Sequence, residues 1–169
     1  MCIRDRITAM AERFAERYRG NIKDFSAQEL LKCLEEFEDY CARLQEILLF
    51  ANLSFSANMT LRETQQLHDK AVKLRAKLKK LLAFFELEVG DLVYRKPELI
   101  SDPILANYKR FLEMLRRQAP HQLSEREEKL IIEKDQFGVH AWEELQSKWL
   151  NTRVFEVTVE GKKKTLPYN

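Results

Sequence analysis

His140 and Glu144 stand four residues apart, a spacing that puts both side chains on one face of a helix and suits a pair of metal ligands. His121 lies upstream, with Glu127 and Glu128 close behind it. The stretch HQLSEREEKLIIEKDQFGVHAWEEL, residues 121–145, thus gathers the imidazoles and carboxylates from which zinc sites and acid–base pairs are made. The spacing argues against either chemistry. Catalytic zinc takes three protein ligands, most recognisably with H-E-x-x-H on one helix, and that motif is absent. His68, His121 and His140 occur at unrelated places, and none is followed by glutamate. The adjacent acids Glu35 with Glu36, and Glu127 with Glu128, point about 100° apart on a helix and cannot act as a pair. There is no G-x-S-x-G elbow, no glycine-rich phosphate loop and no cysteine with an evident histidine partner. No catalytic, cofactor-binding or metal-ligating residue is therefore assigned in this chain. His121 is expected in the turn before a helix cap at Ser124, and His140 on a half-buried helix face beside Trp142. Trp142, Leu145 and Trp149 share a face, which reads as core.

The elements that carry these residues are helical. With 169 residues, 45% apolar and 33% charged, the chain suits one soluble folded domain rather than a disordered one. Only 4 Gly and 4 Pro occur, so regular structure should run in long pieces. Gly20 follows ITAMAERFAERYR where a left-handed residue usually closes a helix. Ser26 and Glu29 have capping-box spacing. Leu30, Leu34, Phe37, Cys41, Leu44, Leu48 and Ala51 then recur four and three apart, one stripe on a long helix. NLSFSANM interrupts it, and Thr60 with Glu63 opens a second box. Leu67, Ala71, Leu74, Leu78, Leu81 and Phe85 continue the rhythm to Gly90. Two such helices joined by a short loop predict an antiparallel hairpin. Asp102 before Pro103 predicts the start of a helix running to about Gln118, which would bury Ile104, Leu105, Tyr108, Phe111, Leu112 and Leu115. Ser124 with Glu127 makes a third box. Only RVFEVTVEGKKKTL changes period. Phe155, Val157 and Val159 alternate with Glu156, Thr158 and Glu160, which reads as a strand with a turn at Gly161. The fold class is all-α: a long antiparallel helix hairpin plus shorter helices, with a terminal β-strand or hairpin.

A net charge of +2 gives little reason to expect nucleic acid, and KLRAKLKK, 73–80, reads as solvated helix surface. The longest apolar run, ILLFANL, is far short of a membrane span, and no secretory signal opens the chain. Cys2, Cys33 and Cys41 are odd in number and lack C-x-x-C spacing, which suggests a reducing compartment. Cys33 and Cys41 fall among apolar helical positions, as small hydrophobes.

The segment from Pro120 to Leu166 resembles the part of oligoendopeptidase F that leads into its catalytic domain. A Pro-His-x-Leu-Ser turn (Pro120, His121, Leu123, Ser124) precedes an acidic helix with Glu127 and Glu128. Gly138 then precedes an Ala-Trp-x-x-Leu helix (Ala141, Trp142, Leu145), followed by the strand near Phe155 to Gly161. FAERYRGNI, LEEFEDYCARLQEILLFANL and LLAFFELEV are similar to earlier helices of the same family. The resemblance implies a cytoplasmic zinc metallopeptidase of the thimet oligopeptidase type, cutting short peptides. Its N-terminal helices would wall a deep substrate channel. The zinc, H-E-x-x-H and the later glutamate ligand would belong to a catalytic domain beyond Asn169, so none is carried over. MCIRDR resembles a translated sequencing adapter and stands where the family has a Trp-Asp-Leu motif. Residues 1–6 are therefore expected to be foreign, 7–152 the helical region and 153–169 the lead into the catalytic domain. Expected partners are short peptides and that domain, with no nucleic acid and no membrane. The alternative is a non-enzymatic helical protein-interaction module.

Overall fold

The computed structural model describes residues 3–159 and 162–167. They form two compact units, one up to Leu130 and one from Ile131 onward. The fold is all-α with a terminal β-hairpin, as the periodicities predict.

In the first unit, α1 (Ile3–Tyr18) ends at Gly20, whose φ of 79° an L side chain would strain. The freed Gly20 N–H donates to the Glu88 carboxylate at 2.9 and 3.0 Å, tying this helix end to a later one. α2 (Ala27–Ala57) begins at the predicted box. Ser26 N–H donates to Glu29 Oε2 at 2.8 Å, and Glu29 N–H donates back to Ser26 Oγ at 3.4 Å. α3 (Arg62–Leu81) folds back along α2, and α4 (Ala83–Arg95) and α5 (Lys109–Gln118) pack against each other. α6 (Glu125–Phe137) opens with the box at Ser124, which donates to Glu127 at 2.9 Å.

Several boundaries differ from expectation. NLSFSANM ends α2 only at its last two residues, the helix running on to Ala57, because Phe55 is buried and its ring stacks on His68 of α3 at 4.6 Å. Packing there outweighs the weak helix preference of Asn and Ser. The Thr60–Glu63 box does not form. The Asn58 side chain instead accepts from the N–H groups of Thr60 and Leu61 at 3.2 and 3.1 Å, and Leu61 stands at the N-cap position of α3 without a side-chain capping bond. Gly90 is not a stop. It is buried inside α4, where a Cβ would meet the Gln122 amide at 3.2 Å and the Leu115 carbonyl at 3.4 Å. Asp102 caps as expected, accepting from Ile104 N–H at 3.0 Å. The turn it starts is 3₁₀, Pro103–Tyr108, so α5 begins later and Ile104 is exposed.

An aromatic cluster lies where α1, α2 and α4 meet. Phe37 stacks on Phe85 at 3.9 Å and 24°, and Phe14 meets Phe85 edge-on at 5.6 Å. Leu30, Leu34, Leu78, Val89 and Leu92 complete the core around it. The second half of α2 lacks this cover, and Leu49, Phe50 and Leu53 are exposed.

The two formed boxes predict an acid sensitivity. Bonds from the Ser26 backbone and side chain hold Glu29 below the ordinary carboxylate range; the Ser124 side chain and backbone do the same to Glu127. A pKa lower in the folded than in the unfolded state adds stability that is complete above the unfolded value and is lost as pH falls through the folded one. The urea midpoint should therefore drop between pH about 6 and about 3, and drop less in E29Q/E127Q, whose amides can still cap without titrating. Equal drops in both proteins would sink this account.

In the second unit, Gly138 separates the end of α6 from α7 (Val139–Asn151). β1 (Val154–Val159) pairs antiparallel with β2 (Lys162–Pro167), placing Phe155 opposite Leu166 and Val157 opposite Lys164. The turn expected at Gly161 and the Glu160 position lie outside the described residues, as does Cys2.

Candidate functional site

The structure separates the groups that the sequence places near one another. His121 lies exposed in a 3₁₀ turn, Ala119–His121, ahead of the Ser124 cap as expected. His140 is exposed rather than half-buried, and its Nδ1 is 3.3 Å from Glu143 Oε2, one turn on. Glu144, the partner suggested by spacing, pairs instead with Lys148. Glu127 is committed to its cap, while His68 is held by the Phe55 ring. Among the described residues no three His, Cys, Asp or Glu side chains converge so as to hold a metal ion. The chemistry of residues 121–145 is local pairing along helix surfaces.

Trp142, Leu145 and Trp149 do share one side of α7, but they are exposed and not core. Spacing shows that they form a face and leaves open what covers it. Arg153 stacks over Trp149 at 3.5 Å from the ring centroid.

The cysteines divide. Cys33 is wholly buried, and burial, with Glu36 and Glu88 nearby, pushes its thiol up to about 12. Cys41, read from the stripe as packed, is exposed, because the helix face has rotated out of the core by that turn. Partial burial of its thiol, then Glu86 and Glu38, still push it up to about 11. Neither is activated as a nucleophile, which requires a lowered pKa.

One polar side chain that joins several helices stands in no motif. Arg19 leaves the end of α1 and reaches the break between α3 and α4. At that break Phe85 N–H bonds to Leu82 O at 3.0 Å, so Leu81 O loses the donor that a continuous helix would supply. Arg19 Nη2 donates to Leu81 O at 2.7 Å in its place. The same guanidinium lies 4.5 Å from the centroid of the Phe84 ring and pairs with Glu125 at the start of α6. RYRG in the sequence carries no periodicity or motif that would reveal this joint.

Among the described residues no helix is long and apolar enough to cross a membrane. Residues 97–151 match the family described as Oligopeptidase F. They run from the 3₁₀ turn after α4 to the last residue of α7. Over 119 residues the chain is 30% identical to Group B oligopeptidase PepB of Streptococcus agalactiae serotype III (strain NEM316). That alignment covers 69% of this chain and 20% of the relative, so the chain corresponds to a small part of the longer protein. No solved structure matches.

Proposed function

With the chain belonging to the N-terminal region of the oligopeptidase F family, we propose that it is the non-catalytic wall of a cytoplasmic, zinc-dependent peptidase acting on short peptides. The observation that carries this reading is the family match over 97–151, joined to the identity with an oligopeptidase over most of the chain. The described residues do not fit a zinc site, since His68, His121 and His140 are each engaged or isolated on different elements. The metal and the glutamate base belong, on this reading, to chain outside residues 1–169. What these helices contribute is a rigid, charged outer shell on an aromatic core, suited to limiting which peptides reach a reacting bond. Folded proteins would be excluded by the walls, and extended peptides admitted.

Two measurements test the proposal. Reading the source frame in both directions should reveal an H-E-x-x-H segment downstream of Asn169. A stop codon directly after Asn169, with a genuine start upstream, would remove the peptidase and leave the helical interaction module. The purified 169-residue chain should also hold substoichiometric zinc and leave a quenched-fluorescence peptide uncut. Stoichiometric zinc with turnover would show that the chemistry lies within this chain.

A further inference from the structure

On α3 the sequence KAVKLRAKLKK, residues 70–80, holds six cations and no carboxylate. Lys70, Lys73, Arg75, Lys77 and Lys79 are all exposed, and none of the five forms an ion pair among the described residues. Asp69, one turn before Lys73, makes no ion pair with it. Some exposed helix cations elsewhere find a partner, and those that do not, such as Arg110, Arg116 and Arg126, are scattered over α5 and α6 rather than gathered on one helix. Arg43 pairs with Asp39, Arg95 with Asp91, Lys129 with Glu125 and Lys148 with Glu144, each four residues apart. The acids that balance the net charge therefore do not pair with these five cations of α3. Lys70, Lys73 and Lys77, three and four apart, form one ridge; Arg75 and Lys79 form a second beside it. Like charges at these spacings oppose helix formation; the helix dipole favours Lys79 in the last turn, whereas Lys70, Lys73 and Lys77 carry the cost without an ion pair among the described residues.

We propose that the α3 ridge is a docking surface for acidic peptide segments. Three features select that partner. α3 has no Phe, Tyr or Trp, so it offers no platform on which nucleic-acid bases could stack. Its apolar residues Ala71, Leu74 and Leu78 are buried in the protein and cannot enter a lipid surface. A single line of flexible lysines suits carboxylates spread along an extended chain. Lys70 to Lys77 rises about 10 Å along the helix, roughly the reach of three residues of extended peptide. The surface itself is argued from α3 alone. Only the identification of the docked segment as substrate rests on the peptidase reading, for which the ridge would favour acidic peptides.

The test is equilibrium binding, which requires no catalysis and so can fail or succeed apart from the peptidase assay. A fluorescein-labelled octapeptide with glutamate at alternate positions is titrated with the 169-residue chain and followed by anisotropy. Its serine counterpart serves as the neutral probe. The glutamate peptide should bind more tightly, and raising salt to about 0.3 M should weaken it. K70Q/K73Q/K77Q should bind it about tenfold more weakly. R110Q/R116Q/R126Q, with the same change in net charge on α5 and α6, should bind it as the parent does. Glutamine keeps helix propensity, and circular dichroism verifies both folds. No preference for the glutamate peptide, equal weakening in both variants, or tighter binding of a single-stranded oligonucleotide or phosphatidylserine vesicles at the same salt would each overturn the proposal.

Discussion

Replacing Phe85 by alanine should cost about 3–5 kcal/mol of folding free energy, the largest single effect expected in this chain. Phe85 has no exposed surface and stands near the start of α4, directly after the break with α3. Its ring receives Phe37 from α2 face-on and Phe14 from α1 edge-on, so one side chain holds three helices. Truncation removes the transfer free energy of a large ring and both aromatic pairings, and leaves a cavity that three rigid helices cannot close. A domain of ordinary stability, about 5–15 kcal/mol, would lose a large fraction of it. Urea denaturation of the 169-residue chain reads the loss, which should lower the melting temperature by roughly 10 °C or more. Phe85→Leu keeps most of the volume and should cost less than half as much. Phe50→Ala is the control: that ring is 66% exposed on the second half of α2, and its loss should stay within about 0.5 kcal/mol. Comparable losses at Phe50 and Phe85 would contradict the packing described.

The contrast between these two phenylalanines also marks how far the sequence could be read. The four-three rhythm of α2 and α3 located both helices and their pairing, because a helix face must repeat near 3.6 residues whatever packs on it. Leu30, Leu34, Leu74, Leu78 and Phe85 are buried as the rhythm requires. The rhythm does not say how many helices cover that face. α1 reaches the first part of α2, where its Arg17 bonds to Glu36 at 2.7 Å, while Leu49, Phe50 and Leu53 lie largely beyond such cover. The same limit explains Trp142, Leu145 and Trp149, whose spacing is that of a core face although all three are exposed.

Short polar motifs were legible where nothing competed with them. Ser26 with Glu29, and Ser124 with Glu127, cap as their spacing requires, whereas Thr60 with Glu63 yields to Asn58, whose side chain accepts both the Thr60 N–H and the Thr60 hydroxyl that the box would use. His140 and Glu144 illustrate the same competition: each found a nearer or better-charged neighbour along its helix. Long-range polar contacts left no trace. Arg19 and Glu125 are separated by most of the chain, and neither sits in a pattern that requires the other.

Arg19→Ala should therefore be the second large effect, about 2 kcal/mol, and the more informative of the two. The substitution leaves Leu81 O without its donor, removes the guanidinium from Phe84 and deprives Glu125 of one of two cations. An unsatisfied carbonyl costs about 1–3 kcal/mol where it stays shielded, and cation–π contact adds about 0.5–1. The ion pair adds less, because both side chains are about a third exposed. Arg19→Lys keeps the charge but lacks the planar fork that serves the carbonyl and the carboxylate together, so it should recover less than half of the loss. pH separates the contributions. Partial burial pushes the Glu125 carboxyl up, but bonds from Lys129 and Arg19 pull it further down, leaving it below its ordinary value. Its contribution is thus complete above the ordinary carboxylate range and disappears on acidification. The Arg19→Ala deficit, measured by urea denaturation, should shrink as pH falls from about 7 towards about 3 and keep the part due to Leu81 and Phe84. A deficit that vanishes at low pH would reduce Arg19 to a surface ion pair. One that survives in part makes it the group that closes the break between α3 and α4.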